Sequence, residues 1–290
     1  MNPDKPRSCP AERPRLRVSW GAVTHTGLVR EHNEDAFLAS SPVFLVADGM
    51  GGHRLGDQAS RLALSSFEHL VGQEFVDSAE LERCLSRAAA EVSALGHDAV
   101  APGSTLTGTV LSLQGQRPCL RVLNIGDSRT YQLSSGVFGQ VTRDHSHVQD
   151  LVDAGFISPE QARKRPDRSV ITRALGAGAG PVVRVDQTLL PAVQGDRFLI
   201  CSDGLSGQVR DAALAQVLLS HQDPQEAAER LLELALGEGG QDNITVVVVD
   251  LLEVSPSWSD AEPDGSGSHG FAPDDTVPTP SVSHPGPEEA

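Results

Sequence analysis

Val43-Phe44-Leu45-Val46-Ala47-Asp48-Gly49-Met50-Gly51-Gly52-His53 is an apolar run of five residues that stops at an aspartate and then breaks into glycines. An apolar run of this length, bounded by Asp-Gly, predicts a short strand buried on both faces. The carboxylate of Asp48 is therefore expected at the rim of a core. A negative charge there is costly unless something positive pairs with it, and the candidates are an arginine, a helix N-terminus or a metal ion.

The pattern recurs along the chain. Leu120 to Ile125 ends in Gly126-Asp127-Ser128-Arg129, Phe198 to Cys201 ends in Ser202-Asp203-Gly204, and Asp242-Asn243 precedes the apolar run from Ile244 to Leu252. Any single aspartate of this kind reads as a turn residue or a helix cap. Four at the ends of four strands predict carboxylates converging on one edge of a sheet, with no comparable basic cluster to neutralise them. Hard divalent cations, Mg²⁺ or Mn²⁺, answer that need, because they take oxygen ligands and keep several waters. Gly49 would let its backbone carbonyl approach such an ion, where a bulkier residue would hinder it. Two ions sharing one carboxylate make hydroxide from water at neutral pH and aim it at phosphorus. The phosphoryl oxygens also need a cation. Arg30, four residues before Glu34, is the candidate, since guanidinium binds phosphate bidentately. Its alternative is a surface salt bridge to Glu31 or Glu34.

Composition bounds the partners. The 290 residues carry 23 basic and 39 acidic side chains, a net charge of -16, which argues against nucleic acid and against an anionic membrane surface. A hydrophobic content of 39% is enough for a proper core. The chain has neither a run of 18 apolar residues nor an apolar segment near Met1, so no membrane span or signal peptide is expected and a cytoplasmic location is the default. Cys9, Cys84, Cys119 and Cys201 lack the spacing of a zinc site or a disulfide framework, and Cys201 reads as core.

Residues 1–15 hold four prolines and no apolar pattern, which predicts a disordered arm. Residues 254–290 are rich in Ser, Pro and Gly, lack Lys and Arg and carry seven acidic side chains, which predicts a disordered acidic tail, either solubilising or a phosphorylation target. One folded unit, 16–253, lies between them. Strands are expected over 17–26, 36–38, 43–47, 106–113, 119–125, 129–133, 136–141, 182–190, 198–201 and 244–252, the last of them central. Helical periodicity appears after Gly56, after the capping pattern Asp77-Ser78-Ala79-Glu80, and after Asp223-Pro224. Residues 141–173 have two short helical patterns but few apolar residues and read as a surface flap. Blocks of strands with paired helices predict a layered α+β domain rather than a βαβ repeat.

Read in order, these residues resemble the metal-dependent (PPM, type 2C) serine/threonine protein phosphatases, bacterial branch. The resemblance runs through Arg30-Glu31-His32-Asn33-Glu34-Asp35, Asp48-Gly49-Met50-Gly51-Gly52-His53, Gly103-Ser104-Thr105-Leu106-Thr107 and Gly126-Asp127-Ser128-Arg129. It continues through Asp144-His145-Ser146, Ile171-Thr172-Arg173-Ala174-Leu175-Gly176 and Ser202-Asp203-Gly204-Leu205 to Asp242-Asn243-Ile244-Thr245. It implies a central antiparallel β-sandwich flanked by paired α-helices, with metals in a cleft at one end. By the same resemblance Asp48 would bridge two Mn²⁺ or Mg²⁺ ions and Gly49 would offer its carbonyl to the first. Asp203 and Asp242 would bind the second, with Glu34 contributing directly or through water. Asp127, with Asp203, would form a third, weaker site, and Arg30 would grip the substrate phosphate. The implied partners are phosphorylated proteins, substrates of a Ser/Thr kinase, in signalling, and the expected state is a monomer.

Two departures stand out. Met50 occupies the position where animal relatives have a histidine that protonates the leaving alcohol, which leaves metal-bound water or His53 for that role. Lys164-Arg165-Pro166 stands where many bacterial members have His-Pro. His145 and His147, two apart in a loop, read as structural or exposed rather than as ligands, and Gly176 to Gly180 as a connection rather than a phosphate loop. The function expected is hydrolysis of phosphoserine and phosphothreonine without a covalent phosphoenzyme. The alternatives are a non-catalytic phosphoprotein-binding module on the same fold and a stress-signalling phosphatase with one regulator as substrate.

Overall fold

Two antiparallel sheets stacked face to face carry the molecule, here described from a computed structural model that covers residues 13–51, 55–96, 101–178 and 184–256. The arm, apart from residues 13–15, the tail beyond 256 and His53 lie outside the described residues.

The five-stranded sheet runs in the order β1 (Arg15–His25), β12 (Ile244–Ser255), β11 (Arg197–Cys201), β7 (Arg129–Ser134), β8 (Val137–Gln140). The other sheet runs β10 (Asp186–Pro191), β6 (Arg117–Ile125), β5 (Leu106–Gln114), β3 (Val43–Met50), β4 (Gly103–Ser104), β9 (Leu175–Gly176), and β2 (Asp35–Ser40) also pairs with β3. Helices α1 (Leu55–Ser65) and α2 (Ser78–Ala94) cover the outer face of this second sheet. The short α5 (Asp203–Ser206), α6 (Asp211–Ser220) and α7 (Pro224–Gly237) cover the first.

Alternation along β3 explains the layering. Val43, Leu45 and Ala47 pack against α1 and α2, while Phe44 and Val46 meet Phe198, Ile200, Val247 and Val249 of the opposite sheet. The strand is buried on both faces, as its unbroken apolar run requires. β12 does the same from the other side, with Val246 and Val248 outward to α7 and Val247 and Val249 inward. The expected α+β sandwich with paired helices is found.

Three differences from the sequence reading bear on the site. β5 and β6 belong to one sheet and β7 and β8 to the other, so the link through Gly126, Asp127 and Ser128 crosses between layers instead of extending a single sheet. Asp203 does not merely end β11 but opens α5, with Ser202 as its N-cap residue. α6 was not foreseen, because Ala212, Ala213, Leu214, Ala215, Val217, Leu218 and Leu219 leave no clear polar face. Between β8 and β9 the chain makes an excursion containing α3 (His147–Asp153) and α4 (Pro159–Ala162), the latter opened by a capping box in which Ser158 and Gln161 bond reciprocally.

Candidate metal centre

The carboxylates gather at one end of the sandwich and come from both sheets. β3 delivers Asp48, and the antiparallel register sets Asp35 of β2 directly opposite it. The backbone of Asp48 is fixed by Thr105, whose Oγ1 accepts from the Asp48 N–H at 2.9 Å while its own N–H donates to the Asp48 carbonyl at 2.8 Å. The same Thr105 Oγ1 lies 2.8 Å from Ser128 Oγ, which ties Asp48 to the crossover carrying Asp127. Gly126 enters that crossover at φ +104°, where a Cβ would stand 2.5 Å from Thr105 Cγ2. Only glycine fits there.

The other sheet supplies Asp203 from the first turn of α5, just after β11, and Asp242 from the loop before β12. A Cβ on Gly204 would stand 1.9 Å from the Asn243 carbonyl oxygen, so the start of α5 and that loop touch backbone to backbone. Asn243 then binds the loop that carries Arg30 and Glu34. Its amide donates to the carbonyls of Thr26 at 2.8 Å and His32 at 2.9 Å, and its Oδ1 accepts from the Glu34 N–H at 2.8 Å. The Glu34 carbonyl in turn accepts from the Gly49 N–H at 3.2 Å and from Ser60 Oγ at 2.6 Å. Ser202 joins the layers, since its hydroxyl donates to Asp35 Oδ2 at 2.7 Å and accepts from the Thr245 N–H at 3.0 Å.

Electrostatics single out Asp48. Burial raises its pKa well above the ordinary 3.8, and the charges of Asp35, Asp203, Asp127 and Asp242 raise it further. Asp35 is pushed up to about 7 by burial, against the opposing hydrogen bonds from Ser202 and Thr245. Asp203 is pushed up to about 6, chiefly by burial and then by Asp242. Burial, followed by the charges of Asp203 and Asp144, holds Asp127 high as well. Each of these groups opposes ionisation of its neighbours, so a cation among them relieves several penalties together.

Arg30 is one cation that faces the cluster, with Arg129 and Arg168 also acting on Asp203. Its Nη2 donates to Asp242 Oδ2 at 2.8 Å, and that bond is the main reason its pKa is raised. Neither Glu31 nor Glu34 is its ion-pair partner. Arg129 is engaged elsewhere, in a pair with Asp144 that uses Nε and Nη2.

The donor set fits a hard divalent cation. Glu34 Oε1, Asp35 Oδ1 and Asp127 Oδ1 are buried without a hydrogen-bond partner, a costly condition that a metal or its bound water relieves. Oxygen is the donor throughout, which suits Mg²⁺ or Mn²⁺ rather than zinc. Among the described residues no three His, Cys, Asp or Glu side chains stand together as a set that could hold a metal ion, so the fit rests on the chemistry of the donors and on these orphaned oxygens.

Sequence reasoning missed Asp35, together with the fixing residues Thr105, Ser128, Ser202 and Asn243. The signal for Asp35 was its place at the head of a strand antiparallel to β3, a register that composition does not reveal. Met50 ends β3 opposite Gly103. His145 is buried and hydrogen-bonded, which agrees with its structural reading, while His147 is half-exposed, 4.0 Å from Asp167.

Comparison with known proteins converges on one family. The sequence model described as protein phosphatase 2C matches residues 28–235. The chain is 42% identical over 246 residues to the serine/threonine protein phosphatase PstP of Mycobacterium tuberculosis, covering 82% of this chain but only 46% of that protein, so it spans about half that relative's length. It is 35% identical over 241 residues to the serine/threonine phosphatase stp of Listeria innocua, covering 78% of this chain and 93% of the relative. A crystal structure of the PstP catalytic domain in complex with two manganese ions superposes with a TM-score of 0.72 at 36% identity, covering 82% of this chain and all of that one. With the sandwich, the carboxylate array and these relatives in agreement, the chain belongs to the protein phosphatase 2C family, in its bacterial serine/threonine phosphatase branch.

Proposed function

We propose that the protein removes phosphate from phosphoserine and phosphothreonine side chains of other proteins, with two Mn²⁺ or Mg²⁺ ions as cofactors. The observation that carries this reading is the carboxylate array around Asp48, whose members raise one another's pKa with Arg30 as a facing cation. Asp48, the Gly49 carbonyl, Asp203, Asp242 and Glu34 would hold the pair of ions, and Asp127 with Asp203 would hold a third. When bound, such ions lower the pKa of water and offset phosphoryl charge.

The protein's own groups do the rest. Arg30 has a half-exposed guanidinium beside Asp242, from which it reaches the oxygens of an incoming phosphoryl group. Asp35 holds Ser202, and through it Thr245, so that the two sheets keep their spacing beneath the carboxylates. No thiol is available as nucleophile among the described residues. Cys84, Cys119 and Cys201 are buried, and burial pushes the Cys201 thiol up to about 12. A cysteinyl phosphoenzyme therefore has no nucleophile among the described residues. His53 lies outside the described residues, and the leaving alcohol takes its proton from water in this reading.

Substrates follow from the same chemistry. The net charge of -16 disfavours nucleic acid, and the names of the relatives support phosphoprotein substrates; a Ser/Thr kinase would make them. Among the described residues no helix is long and apolar enough to cross a membrane. A signalling role, a cytoplasmic setting and a monomeric state complete the proposal. Residues 16–253 would be the catalytic domain and 141–173 a flap beside the cleft, which the effect of Arg168 on Asp203 supports.

The test is phosphate release from a phosphothreonine peptide. Turnover should require Mn²⁺ or Mg²⁺ and cease with EDTA. Metal binding with no turnover on phosphothreonine or phosphoserine peptides would favour a binding module instead.

A further inference from the structure

His145 is almost fully buried, 1% exposed, on the segment that leads from β8 into the α3 and α4 excursion. Four hydrogen bonds define its setting. Its backbone N–H donates to the Gly126 carbonyl at 2.8 Å, and its Nδ1 accepts from the Gly126 N–H at 3.2 Å. Its Nε2 lies 3.0 Å from Asp186 Oδ2 at the start of β10, and its carbonyl accepts from the Thr172 N–H at 2.8 Å on the far side of the excursion.

This geometry fixes the tautomer. A neutral imidazole has one N–H, and an Nδ1 that accepts cannot carry it. The proton is therefore on Nε2 and points at Asp186. Arg173 Nη1, 3.3 Å from Nε2 and 3.2 Å from Asp186 Oδ1, then has the carboxylate as its acceptor, not the ring. Burial favours the neutral form as well, holding the His145 pKa below its ordinary value. A doubly protonated ring would turn an N–H toward the Gly126 N–H.

The residue held in this way precedes Asp127. Gly126 sits at φ +104° with its amide pinned by His145 and its carbonyl shared by His145 and Asn124 Nδ2. On its other side Ser128 is held by Thr105, which also holds the Asp48 amide. The turn is thus clamped once toward Asp48 and once toward the base of the excursion.

We propose that His145 is a positioning residue: its Nε2–H imidazole, oriented by Asp186, locks the Gly126 amide and so aims the Asp127 carboxylate into the metal cluster, joining that site to the base of the 141–173 excursion. The function of Asp127 in this statement rests on the metal reading above. The Gly126 lock stands on geometry alone.

Two substitutions separate the ring's two ends. In His145→Asn the side-chain oxygen takes the place of Nδ1 and can still accept from Gly126. In His145→Gln the polar atoms reach only toward the Nε2 position. Both are made in the full chain, and thermal melts establish that each folds.

Amide exchange of Gly126 in metal-free protein reads the lock. His145→Gln should exchange roughly 2- to 13-fold faster than wild type, the range expected for one lost hydrogen bond, with His145→Asn close to wild type. Mn²⁺ titration by calorimetry reads the consequence. His145→Gln should weaken the Asp127-dependent site by about 10-fold, as loss of an outer-shell partner does, and His145→Asn should restore it. Equal Gly126 protection in both variants overturns the proposal. So does unchanged Mn²⁺ binding in His145→Gln while Asp127→Ala weakens it. If Asp127→Ala binds Mn²⁺ like wild type, the metal reading of Asp127 fails, and Gly126 exchange alone decides the lock.

Discussion

Asp35 and Asp48 face each other across the β2–β3 pair, two carboxylates at one rung of an antiparallel ladder. Like charges directly opposed on a sheet are destabilising, and here Asp35 is buried and Asp48 partly so. Of the neighbouring charges that resist ionisation of Asp48, Asp35 is the strongest. Such a rung is retained at an expense in stability, which suits a site that recruits cations.

Asp35→Asn therefore has two effects of opposite sign. Removing the charge should raise the melting temperature of the metal-free protein, because Asn keeps an acceptor for Ser202 while relieving Asp48. It should also weaken Mn²⁺ binding. Thermal melts in EDTA and calorimetric Mn²⁺ titration check the two arms, and a variant that melts lower and binds Mn²⁺ unchanged contradicts them.

The cluster predicts an unusual pH dependence. A carboxyl whose folded pKa lies above its unfolded value takes up a proton on folding, so stability is greatest below the unfolded value and is lost as pH rises through the folded one. Asp35 is shifted to about 7 and Asp203 to about 6 from an ordinary 3.8. Metal-free protein should accordingly gain melting temperature as pH falls from about 7.5 to about 5. His145 works in the opposite sense below 6.5, because its folded value is depressed. Asp48→Asn should flatten the carboxylate-driven gain, and a melting temperature that falls steadily over this range in wild type contradicts the assignment.

Arg30→Ala should chiefly raise KM for a phosphopeptide. A charge-assisted hydrogen bond of about 1.5–3 kcal/mol corresponds to roughly a 10- to 150-fold increase. Steady-state kinetics at saturating Mn²⁺ give the value, and an unchanged KM would reduce Arg30 to a partner of Asp242.

Gly204→Ala tests the joint between the start of α5 and the Asp242 loop. The added Cβ would sit 1.9 Å from the Asn243 carbonyl oxygen, a backbone atom with nowhere to go. The variant should lose roughly 3 kcal/mol or more in denaturant unfolding, beyond the usual cost of overpacking. A loss under about 0.5 kcal/mol, the range of ordinary surface changes, would mean that α5 and the Asp242 loop can part.

Much of this was legible in the chain itself. β3 announces burial on both faces through Val43 to Ala47, and the Asp-Gly or Asp-Asn breaks mark where strands give up carboxylates. Capping patterns at Asp77, Ser158 and Asp223 locate three helices, each with the capping side chain bonded as expected. What could not be read was pairing. Nothing in the sequence separates β6 from β7 into different layers, because a turn through Gly126 suits a hairpin as well as a crossover. For that reason the carboxylates were expected on one sheet edge rather than between two sheets. Register hid Asp35, and helix α6, apolar around most of its circumference, lacked the periodicity that reveals an amphipathic helix. Fixing residues such as Thr105 and Asn243 are ordinary polar residues until the contacts are known.

Anomalous diffraction from crystals soaked in Mn²⁺ tests the central claim most directly. Peaks are predicted against Asp48, shared with Asp203 and Asp242 and with the Gly49 carbonyl, and lost in Asp48→Asn crystals. Wild-type crystals of active protein with no manganese density beside Asp48 would contradict the account.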